Sequence, residues 1–272
     1  MKMRVGSISK GRRYANRDAG FTITELLVVV MIVGILAAIV YPVYVKATET
    51  AKISQCLSNM KQIGAGFQMY LDDYQSRYPA AAPWGRPSYW QQPANGDQKT
   101  IQELLAPYVR ETLVQDTDGM YQQPGVFCCP SDCGVPESEA ANGVIPGKPV
   151  WKCTGCSYEY YSANQVDWQA FDPKDPRMQG KHWTGLSPEI ESPEGLERIG
   201  APQWAVVNQS RKAVMGDTWY WHMGDTVPVA QLAYRNTLFA DWHAQRVNGE
   251  DHEAARLQPL KRWHSLSEVP EQ

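Results

Sequence analysis

Gly20-Phe21-Thr22-Ile23-Thr24-Glu25-Leu26 is the stretch that decides the fold of this chain. A carboxylate stands at the mouth of a long apolar run, directly after a Gly-Phe pair and a basic leader. Sixteen uncharged, mostly aliphatic residues, Leu26 to Tyr41, follow Glu25. With its flanks the run extends from Phe21 to Tyr44, 24 residues, enough to cross a bilayer with some tilt. An ionised Glu in a membrane costs roughly 2 to 3 kcal/mol even on permissive insertion scales, so an acid placed there is read as functional. Residues 1–20 carry Lys2, Arg4, Lys10, Arg12, Arg13 and Arg17 against Asp18 alone, a net charge of +5. Positive flanks stay on the cytoplasmic side of a span, which puts the rest of the chain outside. An ordinary secretory signal fits poorly: Ile35-Leu36-Ala37-Ala38 puts a bulky residue at −3 for cleavage after either Ala. A signal anchor that is never cleaved is the plainer alternative.

The same seven residues resemble the processing signal of type IV pilins and type II secretion pseudopilins, with Ile23 where Leu is usual. The resemblance implies cleavage between Gly20 and Phe21 by a prepilin peptidase, then N-methylation of the new Phe21 amine. Gly20, lacking a side chain, leaves the backbone open to a protease. The resemblance further implies a single-pass protein of the cytoplasmic (inner) membrane, with its N-terminus inside and its head outside. Such a protein meets lipid through residues 21–44 and joins other pilin or pseudopilin subunits in a helical filament, periplasmic or at the cell surface. In that assembly Glu25 pairs with the Phe21 amine of a neighbour, neutralising both charges in an apolar core.

Without the leader the formal charge moves from −3 for the whole chain to −8 for the remainder. An acidic exported part argues against nucleic acid as a partner, because phosphate binding needs clustered Lys and Arg. About 200 residues lie beyond the span, enough for one domain with a real core. Trp and Tyr number 10 and 14 against 5 Phe, a ratio that favours half-buried rings with a polar handle. With 19 Pro and 21 Gly, loops occupy much of that domain.

The expected organisation is a basic leader (1–20), a transmembrane and assembly helix (21–44), an amphipathic continuation (45–78) and an extracytoplasmic head (79–272). Pro42 is expected to kink or loosen the helix. Beyond it Ile53, Leu57, Met60, Ile63, Phe67, Tyr70, Leu71 and Tyr74 recur at steps of three and four, an apolar face for the head to pack on. Gly64 and Gly66 weaken that helix locally. Thr100 to Arg110 reads as a short helix with Thr100 as cap and Glu103 three residues on. Strands are expected at Trp204–Asn208, Ala213–Gly216, Asn236–Ala240 and Ala244–Val247, the last two flanking a turn at Asp241-Trp242-His243. The fold class is therefore α+β: a long N-terminal helix, transmembrane and then amphipathic, packed against a C-terminal antiparallel sheet with long loops.

Five of the six cysteines fall in the loop-rich segment 115–165: Cys128, Cys129, Cys133, Cys153 and Cys156. Their spacing is close to that of structural zinc sites. An oxidising compartment argues instead for a disulfide joining the Cys128–Cys133 group to the Cys153–Cys156 group. Both readings stay open at this level. Cys56, on the amphipathic stretch, reads as a packing residue. Cys129-Pro130-Ser131-Asp132 followed by Ser157-Tyr158 resembles a recurring pattern of a bacterial pseudopilin-like subfamily. Asn236 to Ala244 resembles that subfamily's ending, in which a His precedes an Asp-Gly pair. Here Gln231 stands at the His position and Trp242 replaces Gly, so the turn is expected to differ.

Asp116-Thr117-Asp118-Gly119 opens like a calcium loop but lacks the later ligands of one. Asp217 and Asp225 bracket a loop and are the better calcium candidates, a possibility the pseudopilin resemblance supports. No cofactor is otherwise implied. His182, His222, His243, His252 and His264 are scattered without an adjacent nucleophile pattern, so no enzyme is expected. The rival function is a membrane-tethered module that binds carbohydrate or protein through Trp84, Trp90, Trp151 and Trp168.

Overall fold

The apolar run and the amphipathic stretch behind it form one helix, α1 (Ile23–Asp73), in the computed structural model of the chain. The structure describes residues 22–81, 99–122, 125–137, 144–162, 186, 189–192, 195–198, 200–223, 233–258 and 260. Thr22 and Glu25 start α1 with a capping box. The Glu25 N–H donates to Thr22 Oγ1 at 3.2 Å, and the Thr22 N–H and hydroxyl donate to Glu25 Oε2 at 3.0 and 2.7 Å. Two of the helix's orphan donors are satisfied in this way. The helix runs through Pro42 without ending there. The residue gives up one backbone bond inside a stretch long enough to tolerate it.

The chain divides into two units, Met1–Ala47 and Thr48–Gln272. In the first, the apolar window of α1 is long enough to cross a membrane and no part of it is buried by protein. In the second, α1 buries Cys56, Asn59, Met60, Ile63, Phe67, Tyr70 and Leu71. The expected stripe is therefore right from Met60 to Leu71, and its upper edge turns toward Cys56. Tyr74 lies past the helix end, half exposed and stacked on Tyr70 at 4.2 Å. Gly64 is a packing position, not a weak point: a Cβ there would sit 3.1 Å from Leu238 Cδ1 and 3.3 Å from Trp242 Cβ.

Against this helix lies a four-stranded antiparallel sheet. Its strands are β3 (Tyr158–Tyr160), β6 (Ala213–Asp217), β7 (Tyr234–Phe239) and β8 (Ala244–Asn248), in the order β3-β6-β7-β8. All five residues of the inner strand β6 are buried. Two small hairpins stand apart, β1 (Val114–Gln115) with β2 (Tyr121–Gln122), and β4 (Glu189–Ser192) with β5 (Gly195–Arg198). Helix α2 (Ile101–Val109) begins as expected, with Glu103 accepting from the Thr100 N–H at 2.7 Å. Helix α3 (Val150–Thr154) precedes β3, and α4 (Gly249–Arg256) follows β8.

Two expectations change. The apolar run at Trp204 is not a strand: Gln203–Ala205 is a 3-10 turn, closed by Ala205 N–H to Pro202 O and Val206 N–H to Gln203 O. Its donors are satisfied locally, so it buries apolar surface without joining the ladder. The β7–β8 turn does keep a left-handed residue, with Trp242 at φ 68°. Its ring stacks on Phe67 at 5.6 Å and its Nε1–H donates to Gln68 Oε1 at 2.7 Å. Side-chain packing on α1 thus holds a backbone conformation that Gly adopts without cost.

Candidate metal centre

The cysteine-rich segment is organised by a carboxylate. Asp132 Oδ1 accepts from the backbone N–H of Gly134 at 2.9 Å and of Val150 at 3.0 Å. Its Oδ2 accepts from the Trp151 N–H at 3.1 Å and the Ser157 hydroxyl at 2.7 Å. Ser157 Oγ in turn accepts from the Cys129 N–H at 3.0 Å. One buried side chain thereby joins the Cys129-Pro130-Ser131 turn, the first turn of α3 and the start of β3. Burial raises its pKa while these four bonds pull it back.

The expected bridge between the Cys128–Cys133 and Cys153–Cys156 groups is not seen, since all six cysteines carry free thiols. The sulfurs point elsewhere. Cys133 is exposed. Cys153 accepts from the Ile145 N–H at 3.5 Å, and Cys156, fully buried, accepts from the Tyr158 N–H at 3.3 Å. Burial pushes the Cys128 thiol up to about 12. The Cys128 carbonyl takes a hydrogen bond from Asn59 Nδ2 at 2.9 Å, which fastens this segment to α1.

Cys129 instead meets three residues from distant parts of the chain. The donor atoms of Cys56, Cys129, Asp217 and His222 all lie within 4.8 Å of one another, and all four residues are buried. Cys56 projects from α1, Cys129 follows a 3-10 turn (Gly125–Phe127), Asp217 ends β6, and His222 lies in the 3-10 turn Trp221–Met223. The β3–β6 register sets Tyr158 opposite Asp217, which brings the cysteine turn beside the carboxylate. His222 Nε2 is 3.4 Å from Cys129 Sγ and 3.8 Å from Asp217 Oδ2. Its other nitrogen, Nδ1, is 2.8 Å from Glu49 Oε1, and Glu49 also accepts from the Ser131 hydroxyl at 3.2 Å.

The electrostatics of the cluster are tightly linked. The hydrogen bond from Cys129, with help from His222, draws the Cys56 thiol down against the opposing effect of burial. Burial and the charge of Cys56 push the Asp217 carboxyl up to about 7. Burial works against a charged His222, but Cys56, Asp217 and Glu49 together lift it above its usual value. Asp217 Oδ2 accepts from the Asn236 N–H at 2.9 Å, whereas Oδ1 is buried with no hydrogen-bond partner among the described residues. Two sulfurs, an imidazole and a carboxylate form a donor set for a borderline-soft divalent ion. Those surroundings do not suit calcium, a hard cation that takes oxygen ligands.

The remaining candidates divide. Gly20, Phe21, Asp225, Trp84, Trp90 and Trp168 lie outside the described residues. Trp151 is partly buried, with the Lys152 ammonium 5.6 Å from its ring centre. The Asp116 loop is a turn whose carboxylate accepts from the backbone of Asp118 and Met120 at 3.0 and 2.8 Å. Cys56 carried no metal signal in the sequence, and His222, close to Asp217 along the chain, pointed to no cysteine; only burial beside Cys129 and Asp217 brings the four together.

A membrane-length N-terminal helix whose second half packs on an antiparallel sheet defines a pilin-like α+β class. The prokaryotic N-terminal methylation motif matches residues 15–41. The chain is 40% identical over 65 residues to the type II secretion system core protein G of Pseudomonas aeruginosa, which covers 24% of this chain and 44% of that protein. It is 43% identical over 51 residues to the type IV major pilin protein PilA of Myxococcus xanthus, 19% of this chain and 23% of that protein. Against the type II secretion system core protein G of Klebsiella pneumoniae it is 30% identical over 139 residues, 45% of this chain and 90% of that protein. No solved structure matches. The chain belongs to the pilin and pseudopilin family, whose members are structural proteins and not enzymes.

Proposed function

We propose that this chain is a structural subunit of a type II secretion pseudopilus or a type IV pilus-like filament. It is stored in the membrane after cleavage between Gly20 and Phe21 and assembled through its N-terminal helix. The observation that carries this reading is the run Leu26 to Val45, apolar and exposed along its whole length, most of it within the methylation-motif match at residues 15–41. Such a surface is stable only in lipid or against other apolar helices. Storage in the bilayer and packing in a filament core supply those two surroundings in turn. Lipid along residues 21–44, a prepilin peptidase and neighbouring subunits are the implied partners, with the Thr48–Gln272 unit outside the cytoplasmic membrane.

Glu25 has two roles in this scheme. In the single chain it closes the capping box with Thr22. In an assembly the same carboxylate would turn to the methylated Phe21 amine of a neighbour. Glu25→Ala tests the scheme. The variant is expected to insert in the membrane at normal levels, because removing an acid lowers the transfer cost. It is expected to disappear from the sheared filament fraction. Normal filament yield would show that the carboxylate has no part in assembly. Mass spectrometry of the membrane form checks processing separately, with an N-methyl-Phe21 terminus expected and an intact Met1 terminus contrary to it.

A further inference from the structure

The four buried donors near β6 have no part in filament assembly as proposed above, and packing alone does not account for them. Asp217 is fully buried, yet its Oδ1 has no hydrogen-bond partner among the described residues. A buried carboxylate oxygen left alone is destabilising, and native structures tolerate few of them. The same carboxylate gathers with two sulfurs and one imidazole nitrogen, its Oδ2 3.8 Å from His222 Nε2, a set that recurs where a protein holds a metal and seldom elsewhere.

We propose that Cys56, Cys129, Asp217 and His222 form a structural zinc site that ties α1 to the cysteine turn, β6 and the 3-10 turn beyond it. The four donor atoms lie within 4.8 Å of one another, a set that an ion would have to draw in slightly to a tetrahedron. Bonds of about 2.3 Å to sulfur and about 2.0 Å to nitrogen and oxygen give ligand-to-ligand edges of roughly 3.3 to 3.8 Å. The observed separations from His222 Nε2 are 3.4 Å to Cys129 Sγ and 3.8 Å to Asp217 Oδ2. His222 is already oriented for the task. With Glu49 accepting from Nδ1–H, the imidazole holds its proton on the far nitrogen and turns the Nε2 lone pair into the cluster. A carboxylate behind a ligating histidine is the usual outer support of such a site.

Binding would form two Zn–S bonds, one Zn–N bond and one Zn–O bond, with the thiol protons leaving to solvent. Two thiolates and a carboxylate around a divalent ion leave one negative charge. Arg235 answers it: its guanidinium Nη1 lies 3.4 Å from the Asp217 carbonyl oxygen, and its charge acts on the Asp217 carboxyl. The site would give the head a cross-link among three distant segments of the chain. The competing fate of the same two sulfurs is a Cys56–Cys129 bridge.

The test uses the full chain, extracted in detergent without chelator or added metal. Elemental analysis is expected to find one zinc per chain. After metal removal under reducing conditions, titration with Co2+ should give the intense visible bands of tetrahedral cobalt and a near-ultraviolet thiolate-to-cobalt band. Cys129→Ser should lose much of the thiolate band, while Cys133→Ser, at an exposed cysteine, should retain full metal content and spectrum. Because ligand variants can also unfold the head, Glu49→Gln gives a gentler arm. It keeps all four donors and should weaken zinc binding by about 10- to 100-fold. A chain without zinc whose cobalt spectrum shows no thiolate band overturns the proposal. So does non-reducing peptide mapping that finds Cys56 disulfide-bonded to Cys129, and so does loss of metal from Cys133→Ser.

Discussion

Residues 26–45 and residues 56–71 lie on the same helix and obey different rules. In the first stretch every large apolar side chain is exposed, and any aliphatic residue would serve. In the second the buried residues are particular: Cys56 meets Cys129, Asp217 and His222, Asn59 holds the Cys128 carbonyl, and Gly64 admits the β7–β8 turn. The contrast teaches that composition carries the information where the surroundings are uniform, as in lipid. Position carries it where the surroundings are a folded chain with its own polar groups.

The hardest test of that contrast is Asp132→Ala. It removes the acceptor for three backbone N–H groups and the Ser157 hydroxyl, each worth about 1 kcal/mol or more when left unpaired in the interior. Chemical denaturation in detergent should show a loss of about 4 kcal/mol or more. Leu27→Val in the apolar run should leave the same transition unmoved. Equal effects from the two substitutions would erase the distinction.

His252 supplies the next largest effect, through pH. It sits on α4 between the Tyr161 hydroxyl at 3.0 Å and the Thr237 hydroxyl at 2.8 Å, with Arg235 and Arg256 opposing a positive charge. Burial, reinforced by the two arginines, holds its pKa down at about 3. Between that value and the ordinary one near 6.5 the unfolded chain binds a proton that the folded chain refuses. Stability is therefore complete above about pH 6.5 and is lost progressively as pH falls toward about 3, by up to roughly 4 kcal/mol. Denaturation midpoints at stepped pH should show the decline, and His252→Gln should flatten it. A wild-type profile that stays level over that range would count against a neutral, buried His252.

Trp242 sharpens the comparison at one residue. Trp242→Ala removes the stack on Phe67 and the bond to Gln68 while keeping a left-handed backbone, for an expected loss of about 3 kcal/mol. Trp242→Gly removes the same contacts but relieves the backbone, and should be about 1 kcal/mol less harmful. Equal losses would mean that the turn relaxes when the ring is gone. The smallest effect belongs to the membrane half. Thr22→Val breaks the capping box and should cost about 1 kcal/mol at the start of α1. Hydrogen exchange faster at residues 23–26 and unchanged at 56–71 would show it.

The sequence was most legible where structure is local. Helix α2 began at Thr100 with Glu103 because a capping box involves four consecutive residues. Thr22-Ile23-Thr24-Glu25 has the same form, but there the carboxylate is also the acid of the processing motif, and spacing alone does not separate the two roles. The pair Asn236–Ala240 and Ala244–Val247 is legible as a hairpin because alternation and a short turn lie within twelve residues. The strand expected at Trp204 failed for the converse reason: an apolar run does not say whether its donors will be met by a neighbour strand or by its own turn.

The sequence by itself determined the long helix, the processing motif, the α+β class and the hairpin at the C-terminal end. Each depends on contacts among near neighbours or on uniform apolar surroundings. Only the tertiary structure decided which cysteine meets which residue. Cys56 and Cys129 are 73 positions apart, and Asp217 and His222 lie 88 and 93 further on. Their encounter depends on the helix face that packs, on Asp132 drawing the cysteine turn against Ser157, and on the register that sets Tyr158 opposite Asp217. Spacing along the chain grouped the five cysteines of the loop together; packing in three dimensions took one of them away and gave it to the helix.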